Sequence, residues 1–289
     1  MRVLGVVAAW CLGVAAGVVA IVAGWSMTHL QDPAGFAELG AGTVEDRRVR
    51  DAATSAASQQ LVERANLPQA IGDYVRRALD ENLAEVVADP EGLTAWRATL
   101  TSSHRLALEN PGEPLRLDLG PVAQAGLDRL TGQLPVTLEV PQPLTVVAAK
   151  ALPSATIDAI DRSDQVRDVA LVVTAVAALA VVLFARRRLL ALAAVGAGAV
   201  ASALVTGWLA NGVLPARIDA AVPDTALAVA FGSALADVAG GSLTELALTV
   251  GGAGAVVALA GISAWGAARG TRRGSTSPSA ASSPEHAPS

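Results

Sequence analysis

The chain opens with VLGVVAAWCLGVAAGVVAIVAGW, which runs from Val3 to Trp25 without a charged residue or a histidine. Three more uncharged apolar stretches follow, at Val169–Ala185, Leu189–Ala210 and Leu246–Ala268. A helix that crosses the hydrocarbon core of a bilayer needs about 20 residues, with a range of about 17–25. The sequence therefore predicts a mainly α-helical membrane protein with four transmembrane helices.

The charges between these stretches predict how the chain is threaded. Cytoplasmic flanks of spans carry an excess of Lys and Arg. The basic residues at the span ends are Arg2, then Arg186, Arg187 and Arg188, then Arg269, Arg272 and Arg273. Residues 26–167 instead hold 20 acidic and 13 basic side chains. We therefore expect a multi-pass protein of the plasma membrane with both termini cytoplasmic and residues 26–167 and 211–245 extracytoplasmic.

The same evidence divides the chain into segments. The four transmembrane helices are predicted at 1–25, 168–186, 187–210 and 245–268. Between the first two lie a connector at 26–42 and an extracytoplasmic helical domain at 43–167. An extracytoplasmic loop with an amphipathic helix at 211–244 joins the last two, and a disordered cytoplasmic tail at 269–289 follows. Helix 1 is expected to be an uncleaved signal anchor because it exceeds a typical signal-peptide core. Cleavage after the small residues Val22, Ala23 and Gly24 is the alternative.

The extracytoplasmic domain is predicted to be mostly helical with two short β-strands. The expected elements are a helix from an N-cap at Thr43 to Asn66, helices at Pro68–Asp89 and Glu91–Glu109, a strand at Leu115–Leu119, a helix from Gly120 to Thr131, a strand at Val136–Val140 and a further helix from Leu144. Trp96 and Leu100 are expected to point inward. In the second loop, a helix from Pro223 to Ala239 would bury Leu227, Phe231 and Leu235.

The residues that could carry chemistry form no recognised motif. His29, His104 and His286 have no His or Cys partner at metal-ligand spacing, and Cys11 is the single cysteine, expected to pack within span one. The acidic pairs Glu81/Glu85 and Asp158/Asp161 have the spacing of solvated helix faces. We expect no catalytic, cofactor-binding or metal-binding residues and no cofactor. The acidic outer domain also excludes nucleic acid as a partner.

Small residues spaced four apart predict where the spans pack together. The candidates are Gly13 and Gly17 in span one, Gly198 and Ser202 in span three, and Gly254 and Ala258 in span four. Such residues let helices approach closely, and packing rather than hydrophobicity drives helix association in lipid. Packing within one molecule is the leading interpretation. Contacts in a homo-oligomer and an absence of any role are the alternatives.

The order of these parts resembles a family of uncharacterised actinobacterial four-span membrane proteins. The resemblance rests on the helical segment Val44–Leu67, the strand Leu115–Leu119 with Gly120-Pro121, Leu134-Pro135 before a second strand, and the span ended by Arg186–Arg188. The Arg-rich composition, with Lys150 the only lysine, fits high-GC coding. The resemblance implies an integral cell-envelope protein and supplies no catalytic residue.

A looser similarity is to permease subunits that pair with an ABC ATPase. The chain departs from that pattern because the loop Arg186–Arg188 leaves no room for a coupling helix. The spans also lack the ionisable residues that ion-coupled transporters keep there.

The sequence therefore favours a non-enzymatic envelope protein. Its outer domain would act as a binding or scaffold module for a protein, lipid or wall component, and its other partner would be the lipid bilayer. A permease subunit or lipid-handling module is the alternative. An enzyme acting on lipid-linked envelope substrates is a third hypothesis.

Overall fold

The computed structural model describes residues 2–64, 72–74, 76–78, 89–110, 112–130, 140, 143–151, 153–185 and 187–274. This part of the chain is mostly helical and includes two short strands. The helices are α1 (Arg2–Ser26), α2 (Pro33–Ala41), α3 (Arg47–Arg64), α4 (Pro90–Glu109), α5 (Gly120–Leu130), α6 (Ser154–Asp161), α7 (Ser163–Phe184), α8 (Arg188–Trp208), α9 (Leu214–Ala221) and α10 (Ala226–Gly274). Residues 72–74 and 76–78 are helical as well.

Four of the described helical segments are long and apolar enough to cross a membrane. They are Val3–Gln31, Ser163–Phe184, Arg188–Ala221 and Ala226–Arg269. This confirms the prediction of four apolar spans in a mainly helical protein. The four segments pack into what we call the bundle, formed by α1, α7, α8 and residues 242–268 of α10.

A second packed unit, here called the head, consists of the described residues between 33 and 151 together with residues 226–239 of α10. Its core joins α3, α4 and α5 to the first turns of α10. The largest fully buried side chains are Trp96, Leu61, Leu100, Leu117, Leu119, Leu144 and Val49. The inward orientation predicted for Trp96 and Leu100 is thus confirmed.

The indole of Trp96 shows how this core is held together. Its Nε1 donates to the carbonyl oxygen of Gly40 at 3.2 Å and to Oγ1 of Thr43 at 3.3 Å. The ring also meets Phe231 of α10 edge-on, with 6.1 Å between centroids. A buried indole N–H needs a polar partner, and these contacts supply one. The start of α10 is therefore part of the head.

The predicted N-cap at Thr43 is wrong, because α3 begins at Arg47. Asp46 is the residue that caps it, since its Oδ1 accepts from the backbone N–H of Arg48 at 2.8 Å. The side chain of Arg48 also donates to this carboxylate, and together these bonds lower the pKa of Asp46. Thr43 is fully buried instead, where its hydroxyl donates to the carbonyl oxygen of Gly40.

The segment predicted as a connector, 26–42, is mostly helical in the structure. A π-helical turn at Met27–Gln31 leads into α2. Asp32 caps α2 by accepting from the backbone N–H groups of Ala34 and Gly35, and Pro33 occupies the first helical position. The Asp-Pro pair therefore marks a helix start, because proline is favoured at that position.

The second strand lies later in the chain than predicted. β1 (Leu115–Asp118) pairs antiparallel with β2 (Thr145–Ala149), where a helix was expected from Leu144. The β-branched residues of β2 suit a half-buried strand better than a helix. Val140, the described end of the predicted strand 136–140, is not in a strand. The rest of that strand lies outside the described residues, as does most of the predicted helix Pro68–Asp89.

The predicted loop 211–244 and span 245–268 do not form separate units. After α8, a π-helical turn at Leu209–Val213 and α9 lead to α10, a single helix of 49 residues. Leu227 and Phe231 are buried as predicted, but their helix continues without a break into the fourth span. At 1.5 Å per residue, α10 is about 74 Å long. It also reaches Gly274, so the first residues of the predicted tail are helical, and residues 275–289 lie outside the described part.

Candidate functional site

A cleft of about 670 Å³ runs along α1 in the bundle. Its walls come from α1, α7, α8 and α10, with Gly17, Ala178, Gly198 and Leu246 among the lining residues. Leu171 also lines the cleft and is 51% exposed, so the cleft opens sideways to the surface of the bundle.

The cleft exists because short side chains line the space between helices. α1 packs against both α7 and α8, whereas α7 and α8 contact each other much less. The lining residues Gly13, Gly17, Ala177 and Ala178 have little or no side chain to extend into the gap. Cores normally reach the packing density of organic crystals, so an apolar cleft of this volume is a departure from ordinary helix packing.

Polar groups gather at the head-side end of the cleft. Thr28, His29, Arg167 and Ser242 line it there, and most of the remaining lining is apolar. Arg167 lies two residues before the uncharged stretch that begins at Val169. This places the guanidinium at the boundary between an apolar span and the head.

The guanidinium of Arg167 is held from one side. Its Nε and Nη2 donate to Oδ1 of Asp168 at 3.0 and 2.7 Å. Its Nη1 lies 3.1 Å from the sulfur of Met27, which is a weak acceptor. The side chain is 31% exposed. The ion pair therefore fixes the plane of the guanidinium and leaves Nη1 without a strong acceptor.

His29 and Ser242 complete the polar end through Trp25. Nδ1 of His29 lies 3.1 Å from the carbonyl oxygen of Trp25, and the two rings stack with 5.2 Å between centroids. A carbonyl oxygen can only accept, so this bond places a proton on Nδ1. Nε1 of Trp25 donates to Oγ of Ser242 at 3.1 Å and so joins α1 to α10.

The lining of the cleft is mostly apolar, with its charged and polar groups at one end. Among the described residues that line the cleft there is no carboxylate and no thiol. Within the same described part of the chain, no group of three His, Cys, Asp or Glu could hold a metal ion. An apolar cleft with one arginine side chain at its end suits an amphiphilic molecule.

Two of the predicted packing residues contact different neighbours of α1. A Cβ built on Gly13 would lie 3.2 Å from Cβ of Ala177 in α7, and one on Gly17 would lie 2.6 Å from Oγ of Ser202 in α8. Gly13 and Gly17, although spaced four apart in the sequence, therefore face two different helices.

Gly198 and Ser202 lie on the face of α8 that meets α1. Nε1 of Trp10 donates to the carbonyl oxygen of Ala194 at 2.8 Å, and a Cβ on Gly198 would lie 3.2 Å from that nitrogen. Oγ of Ser202 lies 3.0 Å from the carbonyl oxygen of Val14 in α1. Both bonds connect α1 to α8 beside the cleft.

Gly254 and Ala258 of α10 pack against Gly196, which was not among the predicted packing residues. A Cβ on Gly196 would lie 2.5 Å from the backbone nitrogen of Ala258 and 2.5 Å from the carbonyl oxygen of Gly254. Gly261 similarly faces the backbone of Ala193 at 2.7 Å. The signal was present as Gly196-x-Gly198, because residues two apart on a helix face nearly opposite sides and so indicate two interfaces.

The structure describes most of the arginines that were predicted to set the membrane topology. Arg187 and Arg188 are exposed at the connection between α7 and α8. Arg269 lies over the ring of Trp265, with 3.9 Å between its Cζ and the ring centroid. Arg272 and Arg273 belong to the last turns of α10, and Arg186 lies outside the described residues. The short connection between α7 and α8 leaves no room for a coupling helix.

Two sequence-based expectations about single residues are wrong. His104, in a predicted helix, was expected to be an ordinary surface or half-buried residue but is 6% exposed, and its Nε2 donates to the carbonyl oxygen of Leu30 at 2.8 Å. Cys11 was expected to pack and is exposed on α1. Of the acidic pairs, Asp158 and Asp161 are exposed on α6, whereas Glu81 and Glu85 lie outside the described residues.

Arg167 was also missed by the sequence analysis, although a signal was available. It is a charged residue two positions before the uncharged stretch that begins at Val169. The structure places it in the lining of the cleft.

Comparison with known proteins adds no relative: no family model, no curated protein and no solved structure matches this chain. The resemblance to an actinobacterial family therefore remains a prediction.

Proposed function

We propose that the protein is a non-enzymatic integral membrane protein of the cell envelope. The head acts as a binding or scaffold module for an envelope protein, lipid or wall component, and the bundle fixes it at the plasma membrane. The head lies outside the cytoplasm and both termini lie inside, as the distribution of arginines favours.

The observation that carries this proposal is the continuity of α10. Leu227, Ala230, Phe231 and Ala234 belong to the head core, and Gly254 of the same helix packs into the bundle. A continuous helix transmits position and orientation between its ends, whereas a flexible linker does not. A module that must hold a partner at a fixed height above the membrane needs this type of connection.

Further contacts support a fixed junction between head and bundle. His104 of α4 bonds the carbonyl oxygen of Leu30, just beyond α1. Nε2 of Gln31 donates to the carbonyl oxygens of Ile160 and Asp161 at 2.5 and 3.0 Å, which ties the turn after α1 to α6, the helix before α7. Below them, an apolar cluster joins both units and contains Ile21, Trp25, Leu39, Ala210, Ala239 and Leu243.

Photo-crosslinking in the native host tests the scaffold proposal. A photoreactive residue is placed at Arg105 or Gln124, both exposed on the head, and at Val172, which is 63% exposed on the bundle, as the control. We expect the head positions to give adducts with one reproducible envelope component that Val172 does not give. Identical adduct patterns at all three positions would overturn the proposal.

The proposed orientation has its own test. In a Cys11→Ala background, a single cysteine is introduced as Gln124→Cys on the head or Ser277→Cys in the tail. A membrane-impermeant maleimide should label the first variant in intact cells and the second only after permeabilisation. The reverse pattern would contradict the orientation without affecting the fold.

Lipid handling is the second candidate function, and the cleft in the bundle favours it. A lipid chain is the apolar molecule most abundant around the spans, and the cleft opens sideways at Leu171. Lipid extraction or transfer by the purified protein in vesicles would support this role. Binding without transfer would leave the scaffold role as the better account.

A further inference from the structure

We propose that the cleft binds a glycerophospholipid from the head-side leaflet, with its phosphate at Arg167 and an acyl chain along α1. This inference goes beyond the scaffold role and does not depend on any partner of the head. It rests on the shape of the cleft, on the position of the single arginine among its lining residues, and on the surroundings of the spans.

The first step is that an apolar cleft in a bilayer has to be filled. Its walls are Gly, Ala, Val and Leu for most of their length, so water gains few hydrogen bonds there. A void would forfeit dispersion contacts along all four helices. The opening at Leu171 lies on the surface of the bundle, which lipid acyl chains surround in a bilayer.

The second step is the position of the charge. Arg167 stands at the end of the uncharged stretch of α7, where the hydrocarbon core gives way to the headgroup region. Lipid phosphates lie at this depth. A guanidinium N–H binds a phosphate oxygen through a charge-assisted hydrogen bond.

The third step is the free side of that guanidinium. Asp168 takes up Nε and Nη2 through one carboxylate oxygen, whereas Nη1 has only the thioether of Met27. A Cβ built on Gly24 would lie 3.7 Å from Cδ of Arg167. The stem of the arginine therefore packs over α1 at a residue that has no side chain. A phosphate on Nη1 would therefore enter at the mouth of the cleft, with the acyl chain continuing below it past Gly17.

The shape of the lining fits a chain better than a compact ligand. The lining residues of α1 run from Ala9 to Trp25, and the helix rises 1.5 Å per residue, so the track is about 24 Å long. The volume lies within the range of about 300–1,000 Å³ typical of small-molecule sites. A single acyl chain matches a long, mostly apolar track of this kind.

Native mass spectrometry of the purified full-length protein tests the proposal. The probes are dioleoyl phosphatidylglycerol, dioleoyl phosphatidylethanolamine and dioleoylglycerol, which has the same chains without a phosphate. We expect one molecule of either phospholipid, and no dioleoylglycerol, to stay bound at activation energies that strip other lipids. Equal retention of dioleoylglycerol, or no retained lipid at all, would overturn the proposal.

Two variants and their controls locate the site. Arg167→Gln should weaken phospholipid retention about tenfold, which is a typical effect of losing a charge-assisted hydrogen bond, whereas Arg162→Gln, an exposed neighbour outside the cleft, should leave it unchanged. Ala178→Phe should fill the cleft and abolish retention, whereas Ala175→Phe on the exposed face of α7 should not. Retention at the wild-type level in either cleft variant would overturn the proposal.

A measurement on the wild type covers the case in which Ala178→Phe fails to fold. A phospholipid with a photoreactive acyl chain should label cleft residues of α1 and α7, such as Gly17 and Ala178, in preference to the lipid-facing Leu183. Labelling dominated by Leu183 and its exposed neighbours would show ordinary surrounding lipid and overturn the proposal.

Discussion

Glycine and alanine line both regions where α8 packs against other helices, yet one region is tightly packed and the other leaves a cleft. We call the contact between α8 and α10 the closed seam, because Gly196 and Gly254 bring the two backbones against each other. We call the region where α1 meets α7 and α8 the open seam, because its glycines and alanines leave the cleft.

The difference between the seams lies in what each glycine faces. In the closed seam, the place of a Cβ is occupied by backbone atoms of the partner helix, which cannot rotate away. In the open seam, Gly13 faces the Cβ of Ala177 at 3.2 Å and Gly17 faces the hydroxyl of Ser202, so side chains and not backbones meet there. Gly24 faces only the flexible stem of Arg167. Small residues thus permit close approach, but the neighbouring helices decide whether it happens.

Gly196→Leu should produce the largest effect, because it breaks the closed seam. The new side chain would meet the backbone of α10, and overpacking of this kind costs about 1–3 kcal/mol or more. We expect a large fall in unfolding temperature in detergent, or no folded protein. Gly207→Leu on the same helix is the control, since a Cβ there has no neighbour within 4 Å. Equal losses in both variants would contradict the close contact of Gly196 with the backbone of α10.

Trp10→Phe should have a moderate effect on the open seam. It removes the hydrogen bond from the indole to the carbonyl oxygen of Ala194 and keeps most of the ring, so a loss of about 1 kcal/mol is expected. The free energy of unfolding, measured by denaturant titration, checks this value. Trp208→Phe, at a site that is 67% exposed, should change stability little and serves as the reference. A larger loss at Trp208 would show that the contact is misplaced.

Ser202→Ala should have a smaller effect at the same seam. Hydrogen bonds between spans average about 0.6 kcal/mol, and this hydroxyl has Val14 in α1 and Gly198 in its own helix as acceptors. The same titration applies, with the exposed Ser263→Ala as control. A loss above about 2 kcal/mol would indicate that α1 and α8 are tied together much more strongly than an open seam requires.

Ala178→Leu should have the smallest effect on stability in lipid-free detergent. Ala178 lines the cleft, so the longer side chain has space to enter it, and the change in unfolding free energy should stay within about 0.5 kcal/mol. Thermal unfolding beside the wild type measures it. A loss comparable to that of Gly196→Leu would mean that the open seam is closed in solution.

The sequence predicted the spans well because their signal is physical and local. A run of about 20 uncharged residues has few alternatives to a membrane helix. The strand at Leu115 and the helix that buries Trp96 followed from alternation and helical spacing in the same way. These elements depend on their own residues more than on distant contacts.

The continuity of α10 could not be predicted for the opposite reason. Asp237, Glu245 and the pair Gly240-Gly241 are typical of a loop. In the structure Asp237 and Gly241 are exposed on the helix surface, while Leu227 and Phe231 are buried in the head. Tertiary packing thus outweighs the cost of about 1 kcal/mol per glycine in a helix. The misplaced second strand has a similar origin, since only pairing with β1 makes Thr145–Ala149 a strand.

The cleft could not be predicted from the sequence either. Gly13 and Gly196 look alike in a chain rich in glycine, and only the arrangement of four helices separates an open seam from a closed one. Arg167 was the better signal, because its charge stands two residues before the long uncharged stretch that begins at Val169.

The most direct test of this account is the unfolding temperature of the purified protein with increasing phosphatidylglycerol. A ligand that binds only the folded state stabilises it by RT ln(1 + [L]/Kd). We predict that the lipid raises the unfolding temperature of the wild type and of Ala175→Phe, but not that of Ala178→Phe. An equal rise in Ala178→Phe would show that the lipid acts elsewhere on the bundle and would contradict the account.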